Sequence, residues 1–454
     1  MAKAAIPNLQ LRNLLTEAKW THQELACAVN TIGAETGLRL RYERPAVAHW
    51  LTGMLPRGSV AELVAEGFSR RLGRRVTVAE TGLCRPGDTL PTHLAPWWGT
   101  DVSVDLTELA GPAPDRSGAT AADVYRLDAL AVPAWRQLVG RVPHLPRARE
   151  VTQISRAEIA SAQWMLRLFS DADATRGGGY TRPALVGYLS STVAAWLQAR
   201  SGPAVRRGLF TVAARLSCLC GFTCFDDNLH GCAQGYYLAA LKLAVEAGSA
   251  TDYALTLRAL SVQARRLGHH QQALELADTA VSHISGEIHP STRASLYGQL
   301  AVARAYTGDV LGAGEQLAAA EQHLRRPDNG EPSIGSYHFA SFAHQKAMID
   351  VRQGDRDAAI RNLQNSISLR PWSERRSRAI TTAMLAELQM DAGHLEAACA
   401  SWLRFCDDYP HIRSGRADTA LAALNARTRP FQRNPTVAAL RHRAAELRES
   451  QVTR

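Results

Sequence analysis

Lysine is nearly absent from this 454-residue chain: four of its 52 basic residues are Lys and the rest are Arg. That bias fits GC-rich coding and is not read as a functional choice of arginine. Long apolar runs are missing too. No stretch approaches the ~18 apolar residues that mark a membrane-spanning helix, so no membrane partner is expected. The first residues, MAKAAIPNLQLRNLL, lack the apolar core and cleavage site of a secretory signal. A cytoplasmic, reducing setting is therefore expected, in which structural disulfides are rare. Catalytic signatures are also absent: no Walker-type phosphate loop, no HExxH and no nucleophile elbow. The sequence therefore predicts no enzyme, no catalytic residues and no cofactor.

What is present is helical texture, positive charge and clustered cysteine. The net charge of +10 suggests a polyanionic partner. Four of the eight cysteines fall in CLCGFTCFDDNLHGC at 218–232. Three readings stand: buried packing residues, a redox pair of Cys224 with Cys232, or a metal site. Zinc needs four converging ligands, and Cys218 and Cys220, two apart on one helix, point to different sides. Packing is the favoured reading and no metal site is expected.

The chain divides by composition. Residues 1–84 read as a compact helical domain. Residues 85–146 are broken by prolines at 86, 91, 96, 112, 114, 133, 143 and 146, which predicts a linker with short helices at most, near 120–130 and 134–140. Trp97 and Trp98 are expected to anchor it. Residues 147–204 predict an atypical helix pair around a flexible turn, RGGGY at 176–180. From 205 to 425 one pattern recurs: a turn residue, then Ala five positions later, at Asn228/Ala233, Gly268/Ala273, Gly308/Ala313, Gly354/Ala359 and Gly393/Ala398. Small residues recur twelve positions before each Ala (Gly221, Ser261, Ala301, Ala347, Ala386), and mostly small ones seven after it (Ala240, Ala280, Ala320, Ser366, Phe405). This is the signature of an α-solenoid. A helix at 426–454 with Val437, Leu440, Ala444 and Leu447 on one stripe would cap its end. The fold class is therefore all-α: a small helical bundle followed by a solenoid.

In this phase Cys220, Cys224 and Cys232 fall at packing positions. The inner face should carry Arg215, Cys218, Phe222, Arg258, Val262, Arg265, Tyr306, His344, Met348 and Arg352. That lining is basic and partly aromatic, suited to a carboxylate or an acidic segment, and simple solvation of these arginines stands as the alternative. His269, His270, His283 and His289 at helix ends are read as solvated or capping, and Asp226–Asp227 as solvating a turn.

Near the N-terminus, THQELACAVN at 21–30 reads as a helix capped by Thr21 with Glu24 completing a capping box. ERPAVAHWLTGMLPRG at 43–58 reads as a second helix, with Val47, Trp50, Leu51 and Met54 inward and Arg44, Ala46, Ala48, His49 and Thr52 outward. These residues resemble the Xre-type helix-turn-helix of bacterial regulators, except that TIGAETGLRLRYE between them is far longer than a usual turn. The 205–425 pattern resembles tetratricopeptide repeats. Together they resemble actinobacterial regulators that join the two, similar in architecture to the peptide-pheromone sensors of Gram-positive bacteria. The resemblance implies double-stranded DNA as partner, a homodimer on paired half-sites, and a peptide, small-molecule or protein effector in the groove. It further implies control of development or antibiotic production. On the bundle, Gln23, Arg39, Arg41, Arg44, Ala46, His49, Thr52 and Arg57 are the expected DNA contacts. A scaffold that binds proteins with both halves is the alternative.

Overall fold

The computed structural model describes residues 7–84, 99–111, 124–133, 135–138, 153–284, 288–326 and 337–452. The described residues form helices and no strand; two extended segments meet only at a single bridge, Gln153 to Arg200. The first five helices are α1 (Leu9–Ala18), α2 (His22–Glu35), α3 (Arg44–Leu51), α4 (Val60–Leu72) and α5 (Val78–Thr81). Their inward stripes, Leu11, Leu14 and Leu15 from α1, Leu25 and Val29 from α2, Val47 and Trp50 from α3, and Leu63, Val64 and Phe68 from α4, close one core. Thr21 and Glu24 do form the reciprocal capping box.

Two expectations for this bundle need correction. The second helix does not stop at Asn30 but runs on to Glu35, so the connection to α3 is only residues 36–43. Met54 does not join the buried face: α3 ends at Leu51, and Met54 is 57% exposed.

The described parts of the proline-rich segment are short helices packed on the repeats. α6 (Val102–Leu109), a 3-10 turn at Leu127–Leu130 and α7 (Trp135–Leu138) lie against the repeats. Lys242 pairs with Asp105 at 2.5 Å. Gln234 exchanges two hydrogen bonds with the Arg126 backbone, donating at 2.7 Å and accepting at 2.8 Å. Trp97 and Trp98, with residues 120–123 and 147–152, lie outside the described residues.

Helix α8 (Arg156–Arg176) and α9 (Gly178–Gly187), which runs through a π turn into α10 (Ala194–Gln198), make the first unit. Successive antiparallel pairs follow: α11 (Pro203–Asp226) with α12 (His230–Ala247), α13 (Ala250–Arg266) with α14 (His270–Ser282), and α15 (Pro290–Thr307) with α16 (Val310–Leu324). Then come α17 (Phe339–Gln353) with α18 (Arg356–Ser368), α19 (Arg375–Asp391) with α20 (Leu395–Asp408), and α21 (Gly415–Thr428) with α22 (Pro435–Val452). The phase of the pattern is the phase of the fold. Ala233, Ala273, Ala313, Ala359 and Ala398 are all fully buried where paired helices touch. Each turn residue, Asn228, Gly268, Gly308, Gly354 and Gly393, takes a positive φ between 60° and 92°, the left-handed state that ends such helices. At Gly221 a Cβ would lie 2.6 Å from the Tyr237 ring, so only glycine lets α11 and α12 approach there.

By length and composition α11 is apolar enough to cross a bilayer, contrary to the reading that no such stretch exists. Most of it is buried within the repeat array, as a core helix would be. Cys220 and Cys224 lie on its buried face and Cys218 at its margin, while Cys232, on α12, is half-buried.

The array bends until its end meets its beginning. Arg413 donates its backbone N–H to Arg176 O at 2.7 Å, and Gly179 donates to Arg413 O at 3.0 Å. The RGGGY turn is accordingly no flexible loop. Gly177, at φ +89°, is the only break, and a Cβ there would sit 2.3 Å from Arg413 O. Asp226 and Asp227, read as solvating a turn, are instead buried or nearly so at this closure. Asp226 accepts from the first N–H of α9, Gly178 N, at 3.1 Å, and faces Arg376 and Arg416 at 3.8 and 3.9 Å. Asp227 pairs with Arg182 at 3.0 Å.

The boundary drawn at 425 cuts through α21; the last unit is the α21–α22 pair. Val437, Leu440, Ala444 and Leu447 are buried against Trp402, Phe405, Leu421 and Leu424. Deleting residues 434–454 would expose that surface. At about 25 cal/mol per Å² of apolar area the loss is several kcal/mol. The expected result is a clear fall in melting temperature with the oligomeric state unchanged by light scattering. A stable, folded monomer from a dimeric parent would instead place a subunit contact in α22.

Candidate functional site

Two surfaces gather the residues singled out in the sequence. On the bundle, the 36–43 connection is an extended strip whose side chains alternate. Leu38, Leu40 and Tyr42 turn inward, Tyr42 edge-on to Trp50 at 5.2 Å, while Arg39 and Arg41 point to solvent. The Asn30 side chain fixes the strip, donating to Tyr42 O and accepting from Tyr42 N, both at 2.8 Å. This clamp was not foreseen, and an Asn late in a helix carries no distinctive signal.

Gln23 lies beside the start of α3, where its side-chain oxygen accepts from Arg44 N at 3.3 Å. Glu43 gives α3 no side-chain cap, so Gln23 serves one of the open N–H groups there. Arg44, His49, Thr52 and Arg57 are exposed; Ala46 is only partly exposed and packs at the edge of the core.

The electrostatics of the bundle are lopsided. Five of its acids are engaged away from α3: Glu35 and Glu66 by Arg70 at 2.7 Å, Glu17 by Arg74 at 2.8 Å, Glu80 by Arg74 at 3.2 Å, and Glu24 by the Thr21 cap; Glu62, on α4, is half-buried with its Oε2 unpartnered. Arg39, Arg41, Arg44 and Arg57 have no ion-pair partner among the described residues. Four uncompensated guanidinium groups thus surround α3, with Glu43 the one exposed acid among them.

The bundle meets the repeats through a different side, which no local pattern in the chain marks. Arg70 grips Glu35 with both terminal nitrogens and Glu66 through Nε, all at 2.7 Å. Beyond Glu66 lies His269 at 3.5 Å, fully buried and stacked on Tyr125 at 5.6 Å. His269 is therefore not a solvated helix-end residue. His283 is likewise engaged: its Nε2 accepts from Trp135 N at 2.8 Å. Burial pushes the Glu35 carboxyl up despite Arg70.

On the inner face of the repeats the expected residues separate. Arg215 is spent on Asp252 at 2.8 Å. Phe222 is half-buried, with the Arg376 guanidinium 4.7 Å over its ring. Cys218 is half-buried beside Thr256, and burial drives its thiol up to about 11, which leaves it unreactive. Arg265, Tyr306 and Arg352 come together, the two guanidinium carbons 4.9 and 5.8 Å from one ring. Arg258 donates its Nε to Ser295 O at 3.1 Å. His344 lies near Thr381 at 3.4 Å. Burial, followed by Arg370, Arg416 and Arg265, holds it neutral, with its pKa down to about 3.

Residues 11–84 match the family model of the SP15 N-terminal domain. No curated protein matches the chain.

Proposed function

We propose that the protein is a cytoplasmic DNA-binding transcriptional regulator. In this reading the bundle uses an Xre-type helix-turn-helix and the repeats, of tetratricopeptide type, sense an effector or recruit a partner. Control of development or secondary metabolism, and a homodimer on paired half-sites, belong to the same reading. One observation carries it: the exposed guanidinium groups at Arg39, Arg41, Arg44 and Arg57 have no ion-pair partner among the described residues, while Arg70, Arg74 and Arg75 are each paired with acids. An uncompensated basic rim around a short exposed helix suits a phosphate backbone. Docking through Glu66 against His269 leaves that rim open.

In this reading Arg44 and His49 reach base edges, and Arg39, Arg41, Arg57 and Gln23 hold phosphates. The test is recovery of genomic fragments with the full chain, followed by gel shift on the best one. Arg44→Ala should cost about 1–3 kcal/mol and relax preference at one position. Arg57→Ala should weaken all sequences alike and reduce the salt slope by about one. No salt-dependent binding by the parent, or unchanged affinity and preference in Arg44→Ala and His49→Ala, would reject the reading in favour of a protein-binding scaffold.

A further inference from the structure

The arrangement around Tyr306 is one of charge without counter-charge. Arg265, on α13, and Arg352, on α17, approach the same ring from separate repeats. Neither has an acidic partner among the described residues, and neither does Arg258, two turns before Arg265 on α13. The Arg265 Nε is buried without a hydrogen-bond partner, as is Nδ1 of His270, whose ring lies 5.2 Å from Tyr306. Elsewhere in the repeats Asp173 and Asp226 face the buried Arg376, and Asp408 pairs with the partly buried Arg378. Around Tyr306 no carboxylate among the described residues does the same for Arg265 or Arg352. The two guanidinium groups concentrate positive charge around one ring without a counter-charge among the described residues, and an unsatisfied buried donor such as the Arg265 Nε is costly. An anion supplies both the charge and the acceptor.

We propose that the inner face of the repeats binds a small multivalent oxyanion, carried on phosphate or carboxylate groups, between Arg265 and Arg352 against the Tyr306 ring. The guanidinium forks supply paired N–H donors to such oxygens. Two cations rather than one favour a ligand with at least two negative charges. Arg265 and Tyr306 are half-buried and Arg352 is exposed, so the site is open to solvent on one side and a small ligand can enter it. Burial depresses the pKa values of Arg265 and His270, and the lesser contributions of Arg352 and Arg265 further disfavour the charged imidazole; only that second effect reports the positive charge that a bound anion would offset. The site lies beside the bundle. His270 faces Tyr306, while His269, one residue earlier, is clamped beneath Glu66 and Tyr125. The proposal rests on the reading of the repeats as the effector-sensing part of the protein and gives that effector a chemical class.

The experiment is calorimetric titration of the full chain with pyrophosphate and, separately, with citrate, at matched ionic strength in chloride. Saturable one-site binding of either is expected; the tighter arm identifies phosphate or carboxylate as the recognised group. Arg265→Gln and Arg352→Gln should each weaken it at least about tenfold, as the loss of a charge-assisted hydrogen bond does. Arg265→Gln should leave the unliganded melting temperature unchanged or raise it, since an uncompensated charge is removed. Absence of saturable binding in both arms, or affinities unchanged in both variants, overturns the proposal. So does binding of an aspartate-rich peptide with neither small anion bound. Because no DNA is present, failure here leaves the DNA-binding reading standing, and failure of that reading leaves the titration interpretable.

Discussion

Replacing Arg376 by Met is expected to cost about 3–5 kcal/mol, the range for removing one partner of a buried charge pair. Arg376 is buried at the closure of the repeat array. Its Nη2 lies 3.1 Å from Asp173 and its Nε donates to the Asp173 backbone O at 3.2 Å. Nη1 is 3.8 Å from Asp226, and the guanidinium covers the Phe222 ring. Met fills the volume and keeps the contact with Phe222 but leaves Asp173 without a counter-charge. The control is Asp173→Asn added to Arg376→Met, which removes the stranded carboxylate and should recover much of the loss in a urea midpoint. Equal stability of Arg376→Met and the parent would show that the closure does not depend on this residue.

The same cluster sets a pH dependence. Burial first, and the neighbouring Asp226 and Asp227 with it, outweigh Arg376 and push the Asp173 carboxyl up to about 6. An ordinary Asp in the unfolded chain titrates near 3.9. The folded state therefore binds the proton more tightly, and stability from this group is complete below about pH 4 and lost as pH rises through about 6. A shift of about two units corresponds to roughly 3 kcal/mol. The stability of the parent relative to Asp173→Asn should thus fall between pH 4 and pH 7. A difference that is flat in pH would contradict the assignment.

How much of this could be read in advance depends on distance along the chain. The repeats were legible because each small residue answers another within a few tens of positions: Gly221 admits Tyr237, and Ser261 donates to Ala273 O at 2.7 Å. Their period is a local property, and the pattern survives in a single sequence. The closure was not legible. Arg376 and Asp173 are 203 residues apart, and nothing in RGGGY or in DD at 226–227 says which distant loop will be brought against it. Glycines that allow close approach and glycines that allow flexibility look alike until the neighbour is known.

The candidate surfaces divide in the same way. Periodicity placed Arg265, Tyr306 and Arg352 on one face, and the structure sets them around one ring. It also placed Phe222 there, but the array curls far enough for Arg376 to cover it. On the bundle, outward positions of α3 followed from helical spacing as far as Leu51. Beyond that the spacing kept counting while the helix had stopped, which is why Met54 came out on the wrong side. The alternation LeuArgLeuArgTyr at 38–42 was a strip with two faces, hidden because it was read as the inside of a long turn.

Replacing Arg70 by Met is expected to weaken the tie between α2 and α4 and, through the freed Glu66, the contact of the bundle with His269. Arg70 is the only described cation within salt-bridge distance of both Glu35 and Glu66. Without it two half-desolvated carboxylates face each other beside His269. The loss should again be about 3–5 kcal/mol, but local in its expression. The apolar core of Leu11, Leu25, Val47, Leu63 and Phe68 does not include Arg70 and should persist. The turn at 266–270, the packed segment around Tyr125 and the end of α2 at Glu35 should therefore gain hydrogen exchange, while α1 and α3 keep their protection. Adding Glu35→Gln and Glu66→Gln should restore protection at the turn, because neutral amides tolerate the site without a cation. The outcome also bears on coupling. His269 and His270 are consecutive, one held by the bundle and the other beside Tyr306. If freeing the bundle changes exchange at Tyr306 and Arg265 as well, the turn moves as one element between the two surfaces. If protection at the turn is unchanged in Arg70→Met, the docking rests on contacts other than this clamp.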